Sequence, residues 1–157
     1  MANRFVKESA KDLIYIAEND IITVKELLVG SCYPADRKYN IICFHTIQAV
    51  EKLLKSYIID NGIKIAKTHN LDYLHKAIVK IDASFSKIKN DCILLNILTP
   101  SLKYSSRKVI TKQMIDEILK SLENICSFPP IKAMRDTFSK NNNYIIVDEI
   151  VTKSASD

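Results

Sequence analysis

Apolar side chains recur in steps of four and three residues along the first part of the chain. The set consists of Val6, Ala10, Leu13, Ala17, Ile21, Val24 and Leu28. Such a repeat places its members on one side of an α-helix, because about 3.6 residues complete a turn. The repeat stops after a few heptads, which favours packing inside a helical bundle over an independent coiled coil.

The scarcity of turn-forming residues favours helices along the rest of the chain as well. The 157 residues include only 2 glycines and 4 prolines, and 47% of them are hydrophobic. An all-β domain needs many turns, which depend on those two residue types. We therefore predict an all-α fold, an up-and-down antiparallel bundle of four to five helices with a C-terminal extension.

Periodicity and capping residues locate the first two predicted helices. The first is expected at residues 5–29, with Gly30 as a left-handed C-terminal cap, and the second at residues 37–61, just before Gly62. The second helix has the broadest apolar arc in the chain. We therefore expect it at the centre of the bundle, with neighbours on several sides.

Capping residues and prolines also bound the remaining predicted helices. Thr68 or Asn70 is expected to cap a third helix, Pro100 to end a fourth, and Thr111 to cap a fifth. The Pro-Pro pair at residues 129–130 is the clearest boundary in the sequence.

The boundary at the Pro-Pro pair divides the chain into a predicted bundle at residues 5–127 and an extension at residues 128–157. The extension contains a predicted short helix at 131–139 and an apolar strip at 144–151. The strip fits neither helical nor strand periodicity, and it is expected to lie on the bundle or on a partner chain.

Charge and cysteine usage narrow the class of protein. The formal net charge of +5 permits an anionic ligand or nucleic acid without requiring one. The cysteines show no C-x-x-C spacing, so reduced thiols are expected, with no metal and no cofactor. No signal peptide is visible, and no uncharged run approaches the ~20 residues of a membrane span. We predict a cytoplasmic protein with no membrane partner.

Residues 44–55 (FHTIQAVEKLLK) combine an apolar stripe with a compact polar row. At about 100° per residue, His45, Gln48, Lys52 and Lys55 fall on one face of the second helix. The row suits a groove in which imidazole, amide and ammonium groups meet a nucleobase or a phosphate. In the structural alternative, His45 and Gln48 bond neighbouring helices, and Lys55 pairs with the glutamate four residues before it.

Two further residues complete the predicted ligand-binding set. His69 stands just before the third helix, where backbone amides can hold an anion, although a role in starting the helix is the other interpretation. Arg107 lies in a basic loop, where its planar guanidinium can grip a phosphate. The predicted ligand-binding residues are His45, Gln48, Lys52, Lys55, His69 and Arg107. No catalytic residue is predicted.

Two segments, in this order, resemble the HEPN family (higher eukaryotes and prokaryotes nucleotide-binding). They are residues 44–55 and residues 67–74 (KTHNLDYL). The resemblance covers residues 5–127, and residues 104–107 (YSSR) stand where related proteins often carry an Arg-Tyr-Pro-like turn. It implies a helical bundle that commonly dimerises.

The family resemblance implies one of two roles. Some members are metal-independent ribonucleases, often toxins, which share an R-x(4–6)-H motif. Others lack the motif and are associated with nucleotide binding, or accompany a small nucleotidyltransferase in a two-component module. The motif would place a histidine at residues 112–114 after Arg107, or at residues 42–44 after Arg37. Those positions read KQM and ICF, so the motif is not found there.

The leading hypothesis is a non-catalytic nucleotide- or nucleic-acid-binding homodimer. It includes a role as partner of a small nucleotidyltransferase in a toxin–antitoxin-like module. Metal-independent RNA cleavage needs a group that takes the 2′-hydroxyl proton and another that stabilises the phosphorane. A divergent ribonuclease would therefore use Arg107 with His45 or His69. A third hypothesis is a protein-interaction scaffold, without a nucleotide ligand, whose strip at 144–151 docks a partner.

Overall fold

The structure is a computed structural model of the chain, and within the residues it describes the predicted all-α fold is confirmed. It describes residues 4–30, 34–103 and 110–150, with the side chains of all of these except 35, 36 and 99–103. The helices are α1 (Ala10–Val29), α2 (Ala35–Asp60), α3 (Leu71–Ile81), α4 (Lys89–Lys103), α5 (Lys112–Ser127) and α6 (Pro129–Asn142). A 3-10 turn, Ala83–Ile88, precedes α4.

Helices α1 and α2 pack against each other in opposite directions. At one end, the Lys38 ammonium of α2 donates to the Gly30 carbonyl just beyond α1, at 2.8 Å. At the other end, the Val6 amide ahead of α1 donates to the Ile65 carbonyl beyond α2, at 2.9 Å. Helix α2 also contacts α3, α4, α5 and α6, which confirms its predicted central position.

The broad apolar arc of α2 forms the middle of the core. Its buried apolar residues are Ile42, Cys43, Ile47, Ala49, Val50, Leu53, Leu54 and Ile58. The inward side of α5 is buried against it through Ile115, Ile118, Leu122 and Ile125. Burial of each large aliphatic side chain contributes about 1.5–3 kcal/mol, so this core is the main source of stability. No helix in the described residues has the length and hydropathy needed to cross a bilayer.

Two of the predicted helix caps are confirmed. The Asn70 side-chain oxygen accepts from the Tyr73 amide at 3.1 Å, and the Thr111 hydroxyl oxygen accepts from the Met114 amide at 3.2 Å. Each satisfies an amide that has no partner inside its own helix. Gly62, just beyond α2, adopts the left-handed conformation with φ of 78°, which the absence of a Cβ allows.

The prediction that Gly30 forms a left-handed cap is wrong. Gly30 is extended, with φ of −80° and ψ of 155°, and its amide bonds the Glu26 carbonyl at 2.9 Å. A left-handed cap serves to satisfy the last carbonyls of a helix. Here the Lys38 ammonium contacts the carbonyls of Leu28 and Gly30 instead, so the chain leaves α1 in an extended conformation.

Two predicted helix boundaries also differ from the structure. Helix α1 begins at Ala10 rather than near residue 5, because the Ser9 hydroxyl oxygen accepts from the Asp12 amide at 3.1 Å and caps the helix there. Helix α4 continues through Pro100 to Lys103 instead of ending at the proline. A proline removes one backbone hydrogen bond, and so close to the end of a helix that loss does not stop the last turn.

Helix α6 and the segment after it lie in the predicted extension. Helix α6 contacts α1, α2 and α5, and its Ile131 and Phe138 side chains are buried. Beyond α6, Ile150 is 3% exposed and packs in the core, whereas Ile145 is 92% exposed. The strip at 144–150 therefore contacts the bundle at both ends, since the Tyr144 ring packs against those of Tyr15 and Phe138, and it leaves Ile145 open to solvent. The division of the chain into a bundle at residues 5–127 and a C-terminal extension at residues 128–157 stays a prediction.

Candidate functional site

Four polar side chains meet between α1 and α2 in a group that we call the Asp20 cluster (Asp20, His45, Gln48 and Lys52). One Asp20 carboxylate oxygen lies 2.9 Å from His45 Nδ1, and the other lies 3.2 Å from Lys52 Nζ. The Lys52 ammonium also donates to Gln48 Oε1 at 2.9 Å. One carboxylate from α1 therefore holds two basic residues of the predicted row side by side.

The antiparallel packing of α1 and α2 brings Asp20 to the predicted row. Asp20 directly precedes Ile21, a fully buried member of the α1 seam, and so lies at the edge of the face that packs on α2. His45, Gln48 and Lys52 follow one another at i, i+3 and i+7 along α2, which places them on one side of that helix. The cluster closes the polar edge of the α1–α2 interface.

The Asp20 cluster is mostly shielded from solvent. The exposed fractions of the side chains are 13% for Asp20, 16% for Lys52 and 26% for His45. Because an ionised carboxylate only accepts, the hydrogen in the His45 contact belongs to Nδ1, which leaves Nε2 of a neutral ring as an acceptor. Lys52 is a cation with a close counter-ion, and its charge is largely balanced at short range.

A second group, which we call the Glu51 cluster (Glu51, Lys55 and His69), lies next along α2. Glu51 is 3% exposed, and its carboxylate lies 2.7 Å from His69 Nδ1 and 3.6 Å from Lys55 Nζ. The expected i+4 pair between Glu51 and Lys55 is therefore present. The His69 side chain remains 56% exposed, and its contact ties the segment ahead of α3 to α2.

The structure brings five of the six predicted ligand-binding residues together in two clusters. His45, Gln48 and Lys52 share Asp20, while Lys55 and His69 share Glu51. Arg107 lies outside the described residues. In each cluster the basic groups face a carboxylate, as in the structural alternative that the sequence left open. The row is consequently both a packing feature of α2 and a candidate site.

The third histidine lies outside both clusters. His75 of α3 is buried, with 5% of it exposed. Its Nε2 lies 2.8 Å from the Phe85 carbonyl of the 3-10 turn. The turn was not predicted, and it covers a side of α3 that would otherwise face water.

Sequence reasoning missed Asp20, the residue on which the first cluster depends. The available signal is its position, because a carboxylate that directly precedes a buried member of the α1 seam lies near the edge of the face that packs on the neighbouring helix. Reasoning along α2 alone names the basic residues and leaves out the partner that α1 supplies. A contact between residues 25 positions apart depends on helix packing, which periodicity does not fix.

Both clusters contain an imidazole held by a carboxylate at Nδ1. That arrangement fixes the orientation of a histidine ring, and in enzymes it prepares Nε2 to take a proton. The described cavities of about 340, 390, 520 and 580 Å³ are lined by none of the six predicted residues. Among the described residues, no group of three or more His, Cys, Asp and Glu side chains is suited to hold a metal ion.

Comparison with known proteins gives one match. A family model for the HEPN domain matches residues 10–132, which include α1 to α5 and both clusters. No curated protein and no solved structure matches the chain significantly. The matched range agrees with the resemblance carried by residues 44–55 and 67–74.

Proposed function

The chain belongs to the HEPN domain family, and from this premise we propose that it binds a nucleotide or a short nucleic acid without cleaving it. Family membership supports a nucleotide- or RNA-related function. The net charge of +5 supports an anionic ligand. Beyond the family's general function, we propose which side chains contact the ligand and that they do not cleave it.

The proposed site is the polar face of α2 with His69, which lies beside it. The observation that carries the proposal is the double contact of Asp20, which holds His45 and Lys52 next to each other at the edge of the interface. A phosphate there would accept from the ammonium, and a base edge would meet the imidazole and the Gln48 amide. We propose Lys55 and His69 as flanking contacts to the same ligand, and Arg107, which lies outside the described residues, as a further contact.

The carboxylate that organises the site also opposes an anion. Asp20 lies 3.2 Å from the Lys52 ammonium, so an incoming phosphate shares that cation with a negative group. We therefore propose modest affinity that falls as salt rises, because dissolved ions screen the attraction between the ammonium and the phosphate. Because the Asp20 carboxylate competes with the phosphate for Lys52, neutralising Asp20 should strengthen binding.

The absence of the family's nuclease motif supports binding without cleavage. Residues 112–114 are Lys, Gln and Met, so no histidine follows Arg107 at the required spacing. A lone arginine stabilises a phosphorane but does not take the 2′-hydroxyl proton. On this ground we propose a binding protein as the main function.

A divergent ribonuclease is the second candidate function, and one observation favours it. His45 and His69 each present Nδ1 to a carboxylate, at 2.9 and 2.7 Å, which is the arrangement of an oriented general base. In this candidate one histidine takes the 2′-hydroxyl proton and Arg107 stabilises the phosphorane. It predicts metal-independent cleavage of RNA that Arg107→Ala abolishes. RNA that stays intact through long incubation with the pure protein would eliminate it.

We further propose that the protein acts in the cytoplasm as a homodimer or with a small nucleotidyltransferase, in a two-component toxin–antitoxin-like module. Exposed apolar side chains on two helices support a protein partner. They are Tyr15, Ile16, Ile22 and Val29 on α1 and Ile93 and Ile97 on α4. Clusters of exposed apolar residues mark interaction surfaces more often than isolated ones do. Light scattering on the purified chain tests the homodimer directly.

Titration of the purified protein with mononucleotides and short single-stranded RNAs tests the main proposal. We expect saturable binding that weakens as salt rises and weakens in Lys52→Ala. Lys120→Ala removes the same charge from an exposed position on α5 and is the matched control. Flat titrations with every nucleotide and RNA would refute the binding function. Equal losses in both variants would refute the assignment of the site to Lys52.

A further inference from the structure

A groove with two lysines and a tyrosine runs along the edge of α3. Its volume is about 520 Å³, and its lining includes Asn61, Ile63, Tyr73, Lys76, Lys80 and Ile81. It shares no lining residue with the Asp20 cluster or the Glu51 cluster. Cavities that hold small molecules measure about 300–1,000 Å³, so this one has the size of a binding site.

The turn after α2 forms one wall of the groove. Gly62, with φ of 78°, reverses the chain at the end of α2 and brings Asn61 and Ile63 to the groove opposite α3. The other wall comes from α3, where Tyr73, Lys76 and Lys80 follow in steps of three and four along one side. The two walls are α3 and the turn after α2, so the groove is formed by the fold itself.

The chemistry of the lining combines apolar surface with positive charge. Ile63 is 45% exposed and Tyr73 is 47% exposed, so both leave apolar surface uncovered. The Lys76 ammonium pairs with the Asp72 carboxylate at 2.9 Å on the outside of the helix. Lys80 makes no ion pair or hydrogen bond within the described residues, and no carboxylate lines the groove.

We propose that this groove binds a small aromatic anion, with its ring against Tyr73 and Ile63 and its anionic group at Lys80. A flat apolar body gains from covering the exposed tyrosine and isoleucine, because aromatic and aliphatic surface leaves water together. The anionic group supplies a counter-ion to the one lining ammonium that has none. The proposal stands on α3 and the turn after α2, independently of the polar face of α2.

Two sources of aromatic anion are distinguished by the choice of probe. Adenosine monophosphate represents nucleoside phosphates, and indole-3-acetate represents aromatic carboxylates. Inorganic phosphate carries the charge without a ring, and adenosine carries the ring without a charge. Backbone amide resonances of residues 61–63 and 73–81 report binding at the groove, separately from those of α2.

We expect saturable shifts at residues 61–63 and 73–81 with at least one of the two aromatic anions, and weak, non-saturating shifts with phosphate or adenosine. Lys80→Ala should weaken that binding about fivefold, as expected for one exposed ion pair, while Lys120→Ala leaves it unchanged. Saturation by adenosine monophosphate alone identifies a nucleoside phosphate, and saturation by indole-3-acetate identifies an aromatic carboxylate. Absence of saturable shifts with both, or equal affinity in Lys80→Ala, overturns the proposal.

Discussion

Arg135 of α6 and Glu18 of α1 form a two-point ion pair inside the protein. Arg135 Nε donates to Glu18 Oε1 at 2.5 Å and Nη2 donates to Oε2 at 3.0 Å, and the residues are 2% and 4% exposed. The guanidinium also donates to the carbonyls of Cys126 and Val147. One side chain of α6 therefore satisfies groups on α1, α5 and the segment that follows α6.

Loss of Arg135 should destabilise the protein strongly. Removing one partner of a buried ion pair leaves the other charge unpaired, at a cost of about 3–5 kcal/mol. We expect Arg135→Met to lower the free energy of unfolding by that amount in urea denaturation followed by circular dichroism. Lys132→Ala, which removes solvent-accessible pairs with Asp136 on the same helix and with Asp148, should cost less than about 1 kcal/mol.

The double variant Glu18→Leu with Arg135→Met tests whether the ion pair itself stabilises the protein, because it removes both charges. Replacing both charges by apolar groups removes the buried unpaired carboxylate, so most of the lost stability should return. If the double variant is as unstable as Arg135→Met alone, the bonds from Arg135 to the Cys126 and Val147 carbonyls carry the stabilisation instead of the pair.

Replacement of Thr46 by valine should not harm the fold. The Thr46 hydroxyl is fully buried in α2 and has no hydrogen-bond partner within the described residues. A buried polar group without a partner costs about 1–3 kcal/mol, and valine keeps the shape without that group. We expect Thr46→Val to leave the free energy of unfolding unchanged or to raise it by about 1 kcal/mol.

Thr46→Ser provides the control for that substitution. It keeps the hydroxyl and removes one methyl group, so it should lower the free energy of unfolding by about 0.8 kcal/mol. A loss of more than 1 kcal/mol in Thr46→Val would instead indicate that the hydroxyl has a partner in solution.

The thiols of Cys92 and Cys126 should resist alkylation in the folded protein. Burial raises the pKa of each thiol from 9.0 to about 12, so almost no thiolate forms at pH 8. We expect iodoacetamide at pH 8 to modify both roughly a thousandfold more slowly than in the unfolded chain, measured by mass spectrometry. Modification at the rate of a free thiol would contradict their burial.

The same thiols give the stability of the fold a dependence on pH. The folded state holds their protons up to about pH 12, whereas the unfolded state releases them near pH 9. Their contribution is fully present below pH 9 and is lost as the pH rises toward 12. Replacing both cysteines with alanine should flatten the loss of stability in this range relative to the native sequence.

Most of the fold follows from local patterns in the sequence. The seam of α1, the apolar arc of α2 and the caps Asn70 and Thr111 lie where periodicity and side-chain chemistry predict them. One failure occurs where a tertiary contact replaces a local rule. Lys38 of α2 donates to the Leu28 and Gly30 carbonyls, and the chain leaves α1 through an extended Gly30 instead of a left-handed one.

The side-chain contacts of the candidate site are likewise only partly predictable from local sequence patterns. Helical geometry alone groups His45, Gln48 and Lys52 on one face of α2. Their partner Asp20 comes from another helix, and periodicity does not give the register between two helices. The Arg135–Glu18 pair joins residues 117 positions apart, so no local pattern brings them together, and arginine and glutamate are rarely buried.

The affinity of Asp20→Asn for a nucleotide or short RNA, compared with that of Lys52→Ala, tests the proposed function most directly. Circular dichroism first establishes that both variants are folded. If the polar face of α2 receives a phosphate, Asp20→Asn should bind about fivefold more tightly, because a competing negative charge is removed, and Lys52→Ala about fivefold more weakly. Unchanged affinity in both variants would contradict a ligand at this face and leave the Asp20 cluster a purely structural contact.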